Sequence, residues 1–170
     1  MSKKLFFLPA LLLGAMLMFA PACGDSDPCK DVKCGDNGAC FEGACVCNDG
    51  YELGATGLCD TESRVKFYGN YNVSETCTPT ANGTYSSTIS SGADITKINI
   101  TNFGDSALNV SATVDGTNIT IPSQSLTVST PNGPVTSSVA GTGSISGSIV
   151  TITYTSTGGA NFTCTQILTK

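Results

Sequence analysis

Six cysteines, Cys29, Cys34, Cys40, Cys45, Cys47 and Cys59, crowd into 31 residues. A segment this short, below about 40 residues, cannot bury a self-sufficient core, so cross-links must hold it. Six cysteines allow 15 pairings in principle. A zinc site is the other use of clustered thiols, but the C-x2-C knuckles of such sites are missing. The chain also opens as an exported one does. Lys3 and Lys4 precede an apolar run over residues 5–20 that closes in small residues, the pattern of a secretory signal over residues 1–22. Pro9 and Gly14 interrupt the run, which is short for a membrane span of about 20 apolar residues. Export puts the thiols in an oxidising compartment, and disulfides are the reading.

The spacing C-x4-C-x5-C-x4-C-x-C-x11-C, and above all Cys45-Val46-Cys47-Asn48-Asp49-Gly50-Tyr51 followed by Cys59, resembles an EGF-like module over residues 29–60. The short middle loop, Cys40 to Cys45, is most similar to the tenascin type. That resemblance implies the pairs Cys29–Cys40, Cys34–Cys45 and Cys47–Cys59. Each would close a loop of roughly a dozen residues, worth about 3 kcal/mol. Some EGF modules bind calcium through acids ahead of the first cysteine, where this chain has Asp25 and Asp27. Here Pro28 takes the usual acidic or amide position, so these are read as solvated linker acids. No metal or other cofactor is expected.

Nine cysteines leave three more. Cys77 and Cys164 stand near the two ends of the remaining chain. A bond between them would tie a first strand to a last one and contribute up to about 4.5 kcal/mol. Cys23 is then unpaired. Ala22-Cys23-Gly24 after an apolar run resembles the processing site of bacterial lipoproteins, which implies diacylglycerol on Cys23 and a lipidated tether over residues 23–28. Six residues reach at most about 20 Å, which would hold the module at the membrane. Ala20-Pro21-Ala22 also satisfies the rule for ordinary signal cleavage, which leaves Cys23 as a thiol able to bridge two copies.

Charge and composition narrow the function. Without Lys3 and Lys4, six basic residues face thirteen acidic ones, a surface that repels nucleic acid and anionic head groups. Nine of those acids precede residue 65, a first sign of two domains. The chain has no histidine, which removes the Ser-His-Asp triad and the commonest general base.

After a linker at residues 61–64, residues 65–170 turn to Thr, Ser, Asn, Val and Ile in short alternations. This is an all-β pattern of about eight strands. Phe67, Gly69, Tyr71 and Val73 alternate in a first strand; Leu108, Val110, Ala112 and Val114 alternate in another that ends at the turn former Asp115-Gly116. Ile119 and Ile121 follow, and Leu126 with Val128, then Val150, Ile152 and Tyr154, then Phe162 and Cys164 mark further strands. Pro131-Asn132-Gly133-Pro134 reads as a loop. Eight antiparallel strands form a sandwich or an up-and-down barrel, and a Cys77–Cys164 bond favours the barrel, where first and last strands are neighbours. Phe67-Tyr68-Gly69-Asn70-Tyr71 and the late segment 140–154 resemble lipocalin-like bacterial domains, which implies a calycin-type barrel.

Of the carboxylates here, Asp94, Asp105 and Asp115 lie at predicted turns, Asp105 and Asp115 directly beside Gly or Ser and Asp94 two residues after Gly92, where they bond local amides. With Glu75 they make a poor glycosidase pair. Asn72, Asn82, Asn99, Asn109, Asn118 and Asn161 open Asn-x-Ser/Thr sequons. The expectation is a non-enzymatic lipoprotein of the outer membrane or cell surface, whose module spaces and whose barrel meets a protein or glycan. Two alternatives remain: a carrier of a small apolar ligand among Leu108, Val110, Val114, Ile119 and Ile152, and a secreted glycoprotein dimerised through Cys23.

Overall fold

A computed structural model of the chain describes residues 27–79, 82–159 and 161–170. The expected signal at residues 1–22, Cys23 and most of the expected tether lie outside the described residues.

Two small sheets make up the first region. Strands β1 (Gly38–Phe41) and β2 (Ala44–Cys47) form one hairpin, and β3 (Tyr51–Leu53) pairs with β4 (Cys59–Glu62) in the other. Cys34 and Cys59 supply its only buried apolar side chains among the described residues. With so little apolar surface removed from water, the cross-links carry the fold. They join Cys29 to Cys40, Cys34 to Cys45, and Cys47 to Cys59.

The second region is a closed antiparallel barrel of eight strands in sequential order. These are β5 (Gly69–Thr78), β6 (Gly83–Ser91), β7 (Lys97–Ile100), β8 (Val110–Asp115), β9 (Asn118–Thr130), β10 (Gly133–Ser146), β11 (Ile149–Thr157) and β12 (Phe162–Thr169). Closure falls between β12 and β5, where Cys164 stands opposite Cys77 and the two are bonded. Period-two alternation builds the wall. In β11, Val150, Ile152, Tyr154 and Ser156 point in while Thr151, Thr153, Thr155 and Thr157 point out. The interior is packed by β-branched and aromatic side chains, as an eight-stranded barrel permits.

Three local expectations are corrected. Residues 61–64 are no free linker: Thr61 and Glu62 end β4, and Ser63 and Arg64 open a 3-10 turn, Ser63–Phe67, whose Ser63 N–H donates to Gly50 O at 2.9 Å. Phe67 belongs to that turn, not to the first strand, and plugs the barrel floor with Tyr71, whose hydroxyl donates to Phe67 O at 2.7 Å. Pro131 to Pro134 is no extended loop either. Thr130 pairs with Gly133 across a two-residue turn, and Pro134 lies in β10 before that strand acquires its second neighbour at Ser138, so its missing N–H breaks no ladder with β11.

The segments around Ile119 and Leu126 are one strand. Between Ile121 and Gln124 the pairing with β10 slips, so that Pro122 and Ser123 face the single residue Ala140. Such a bulge reverses the phase of alternation. Ile119 and Ile121 point into the barrel, and beyond the bulge Leu126 and Val128 take the inner side. Pairing with β8 stops at Thr120, and the Gln124 side chain replaces the lost ladder by accepting from Ser111 N at 3.0 Å and donating to Ser111 O at 2.8 Å. From there β9 and β10 run on as a two-stranded ribbon past the barrel rim.

The module meets the end of the barrel that holds Phe67. Arg64 donates through Nη1 to Asp94 O at 2.6 Å and Lys97 O at 3.3 Å, and through Nε to Glu62 at 2.9 Å; Lys66 pairs with Glu52. Because the strands run antiparallel, the ribbon, the loop at residues 101–109 and the β11–β12 turn gather at the other end.

Candidate binding site at the barrel mouth

That far end holds a cavity of about 230 Å³, smaller but more enclosed than the grooves on the outer wall. Phe103, Leu108, Leu126, Val139, Tyr154 and Phe162 give it apolar walls, and Ser106, Ser137 and Ser156 add hydroxyls. The bulge at Pro122 makes this lining, since it turns Leu126 and Val128 toward the mouth. Leu108, expected in a strand, precedes β8 and reaches the mouth from the 101–109 loop. The expected lumen residues Val110, Val114, Ile119 and Ile152 are buried in the packed core below.

The 101–109 loop holds its shape under backbone strain. Asn102, Asp105 and Ala107 have φ of 51°, 53° and 57°, the left-handed region that disfavours side chains. Gly104, at φ 62°, is needed twice over: a Cβ there would come to 3.0 Å from the Tyr154 hydroxyl, and its N–H donates to Tyr85 Oη at 3.1 Å. Asn102 steadies the turn by accepting from Ala107 N at 2.9 Å. Strain of this kind is typical of ligand clamps.

Beneath the mouth lies a layer of polar side chains inside the barrel. Glu75 is buried, and its Oε1 accepts from the Tyr154 hydroxyl at 2.8 Å and from Gln166 Nε2 at 2.9 Å. Gln166 also donates to Tyr85 Oη at 2.8 Å. Burial, then the neighbouring Glu75, pushes both the Tyr85 and Tyr154 phenols well above the range of a free tyrosine. Both therefore stay protonated donors at neutral pH. No salt bridge to Glu75 exists among the described residues. Glu75 lies within 4.8 Å of the Cys77 and Cys164 sulfurs, but a disulfide offers no thiolate to a metal. Tyr154 links the two levels: its ring packs on Phe103 and Phe162, with centroids 4.5 and 6.3 Å away, while its hydroxyl reaches down to Glu75.

The other carboxylates are dispersed. Asp94 lies at the module end, where its Oδ1 accepts from Thr96 N at 3.0 Å and Thr96 Oγ1 at 2.7 Å and its Oδ2 pairs with Lys97. Asp105 is on the mouth loop and Asp115 at the end of β8. Of the sequon asparagines, Asn72, Asn82, Asn109, Asn118 and Asn161 are exposed and Asn99 is half-buried. The outer wall carries hydroxyl rows, such as Thr120, Thr142, Thr153, Thr165 and Thr76 in successive register across five strands.

Sequence reasoning named Glu75 only as one carboxylate among four and passed over Tyr85 and Gln166. The signal was available: Glu75 follows Tyr71 and Val73 in the inward phase of β5, and Gln166 sits between Cys164 and Leu168 in the inward phase of β12. A scan against protein-family models found no match, and searches of curated proteins and of solved structures found none either.

Proposed function

We propose that the chain is an exported, non-enzymatic lipoprotein. Diacylglycerol on Cys23 anchors it, an EGF-like, tenascin-type module serves as a short stalk, and a lipocalin-like barrel offers its mouth to a protein or glycan partner. One observation carries this reading: the chain enters through the module at one end of the barrel, and the strained loop, the ribbon and the cavity lie at the other. An anchor at the N-terminus then turns the mouth away from the bilayer. Arg64 and the Lys66–Glu52 pair favour a stalk that holds its angle. Acyl chains give membrane affinity at about 0.8 kcal/mol per buried CH2 group, so no membrane-crossing helix is required.

The test is the intact mass of the mature N-terminal peptide together with phase partitioning of the Cys23→Ser chain. An acylated Cys23 and release of the variant into the aqueous phase are expected. An unmodified Cys23, or one bridging two copies on a non-reducing gel, overturns the anchor.

The apolar cavity, more enclosed than the grooves on the outer wall, favours a second reading, a carrier of a small apolar ligand held at the mouth. Native mass spectrometry of the protein from its own host is expected to show a co-purified ligand if this is so. A bare mass from gently extracted material decides for partner presentation alone.

A further inference from the structure

On the module, one hairpin face has nothing over it among the described residues. Strands β1 and β2 set Phe41 opposite Ala44 and Ala39 opposite Val46. Directly opposed residues project to one side of a two-stranded ribbon, so four apolar side chains share a face. All four are exposed, Phe41 by 65% and Val46 by 55%. Cys40 and Cys45 occupy the other side and are bonded to Cys29 and Cys34. The polar bonds that couple module and barrel come from Glu52, Arg64 and Lys66, so the barrel does not explain this face.

The start of the described chain lies beside the same hairpin. Cys29 is bonded to Cys40, next to Phe41, and a Cβ at Gly43 in the hairpin turn would lie 3.5 Å from the Pro28 carbonyl oxygen. Cys23 precedes Cys29 by six residues, a reach of at most about 20 Å. An acyl group there brings the bilayer within reach of this face. Between residues 27 and 60 the module has seven carboxylates against Lys30 and Lys33. That balance repels anionic head groups and leaves burial of apolar side chains as the means of contact.

We propose that Phe41 and Val46 seat in the interfacial layer of the bilayer that anchors Cys23, which makes the tether an oriented one; the proposal rests on the acylation reading above. Two side chains bind a membrane too weakly to recruit the protein. The anchor supplies the local concentration that makes the contact productive.

The chain contains no tryptophan, so Phe41→Trp creates a lone fluorescent reporter at a site that is already exposed. The full acylated protein carrying it is placed in phosphatidylcholine vesicles and compared with Val128→Trp on the distal ribbon. Emission from the Phe41→Trp protein is expected to shift to shorter wavelength than in the soluble Cys23→Ser form. It should be quenched by phosphatidylcholine brominated on its acyl chains and be insensitive to salt, while the Val128→Trp protein stays unquenched. Acylated protein that floats with vesicles but shows no quenching from Phe41→Trp overturns the contact and leaves the anchor standing. Loss of both flotation and acyl mass overturns the anchor and the contact with it. A short-wavelength emission that grows with concentration in the Cys23→Ser form assigns the face to a second copy and overturns the proposal.

Discussion

Tyr154 on β11 donates its phenolic proton to Glu75 on β5 at 2.8 Å, across β12, inside a barrel whose interior is otherwise mostly apolar. A buried carboxylate is costly unless donors face it. Here Tyr154 and Gln166 both do. Removing one donor, as in Tyr154→Phe, is expected to destabilise the protein by about 1–3 kcal/mol, since the acceptor stays buried and short of a bond. Combining it with Glu75→Gln should cost less than the two single changes added, because the residues share one network. Urea unfolding of the four proteins measures the cycle, and strict additivity would show that the bond carries nothing.

The same network fixes a response to alkali. Tyr71, Tyr85 and Tyr154 have phenols raised above the free value by burial, with Glu75 adding to the last two. The folded state keeps protons that the unfolded chain gives up near pH 10, so the unfolded state binds fewer and stability falls as pH rises beyond about 10. The contribution is fully present below that pH. Tyr71, Tyr85 and Tyr154 should ionise late, in step with unfolding, when absorbance and circular dichroism are followed together. Tyrosinate absorbance from all five tyrosines near pH 10, with the fold intact, would contradict the burial described.

How far the sequence reaches is visible in β11 and β9. In β11 a polar residue follows each apolar one from Val150 onward, and the wall can be read directly from Val150, Ile152 and Tyr154. β9 has the same chemistry but changes phase at Pro122, because two residues there face one on β10. A period-two reading breaks at that point and yields two strands where there is one. The cavity was hidden for the same reason, since Leu126 reaches the mouth only after the phase change. Glu75 was hidden differently. A carboxylate in an apolar phase is intelligible only once β12 and β11 bring Gln166 and Tyr154 to it, and those partners lie 91 and 79 residues away.

The absence of a side chain at residue 141 makes room for Tyr154. The two are directly opposed on β10 and β11, and a Cβ at residue 141 would come to 2.7 Å from the Tyr154 Cβ and 2.9 Å from its Cα. Gly141→Val should therefore push Tyr154 off Glu75 and Phe103, at about 1–3 kcal/mol for the overpacking. Near-ultraviolet circular dichroism should lose tyrosine signal at once. Retention of wild-type signal and stability would mean that the wall yields more easily than a packed barrel allows.

Module and barrel are cross-linked separately, so reduction should separate their fates. The module buries almost no apolar surface besides Cys34 and Cys59 and is expected to unfold when its three disulfides open. The barrel retains its packed interior, and loses only the constraint of Cys77–Cys164, which spans 87 residues and is worth up to about 4.5 kcal/mol. Proteolysis under mild reductant should thus clip residues 29–60 first and leave a core from about Ser63 onward. Arg64→Ala should advance the cleavage, because its bonds to Asp94 O and Lys97 O hold the 3-10 turn against the barrel. Cleavage within the barrel before the module would reverse this order and show that the seam disulfide, not the apolar core, keeps the barrel closed.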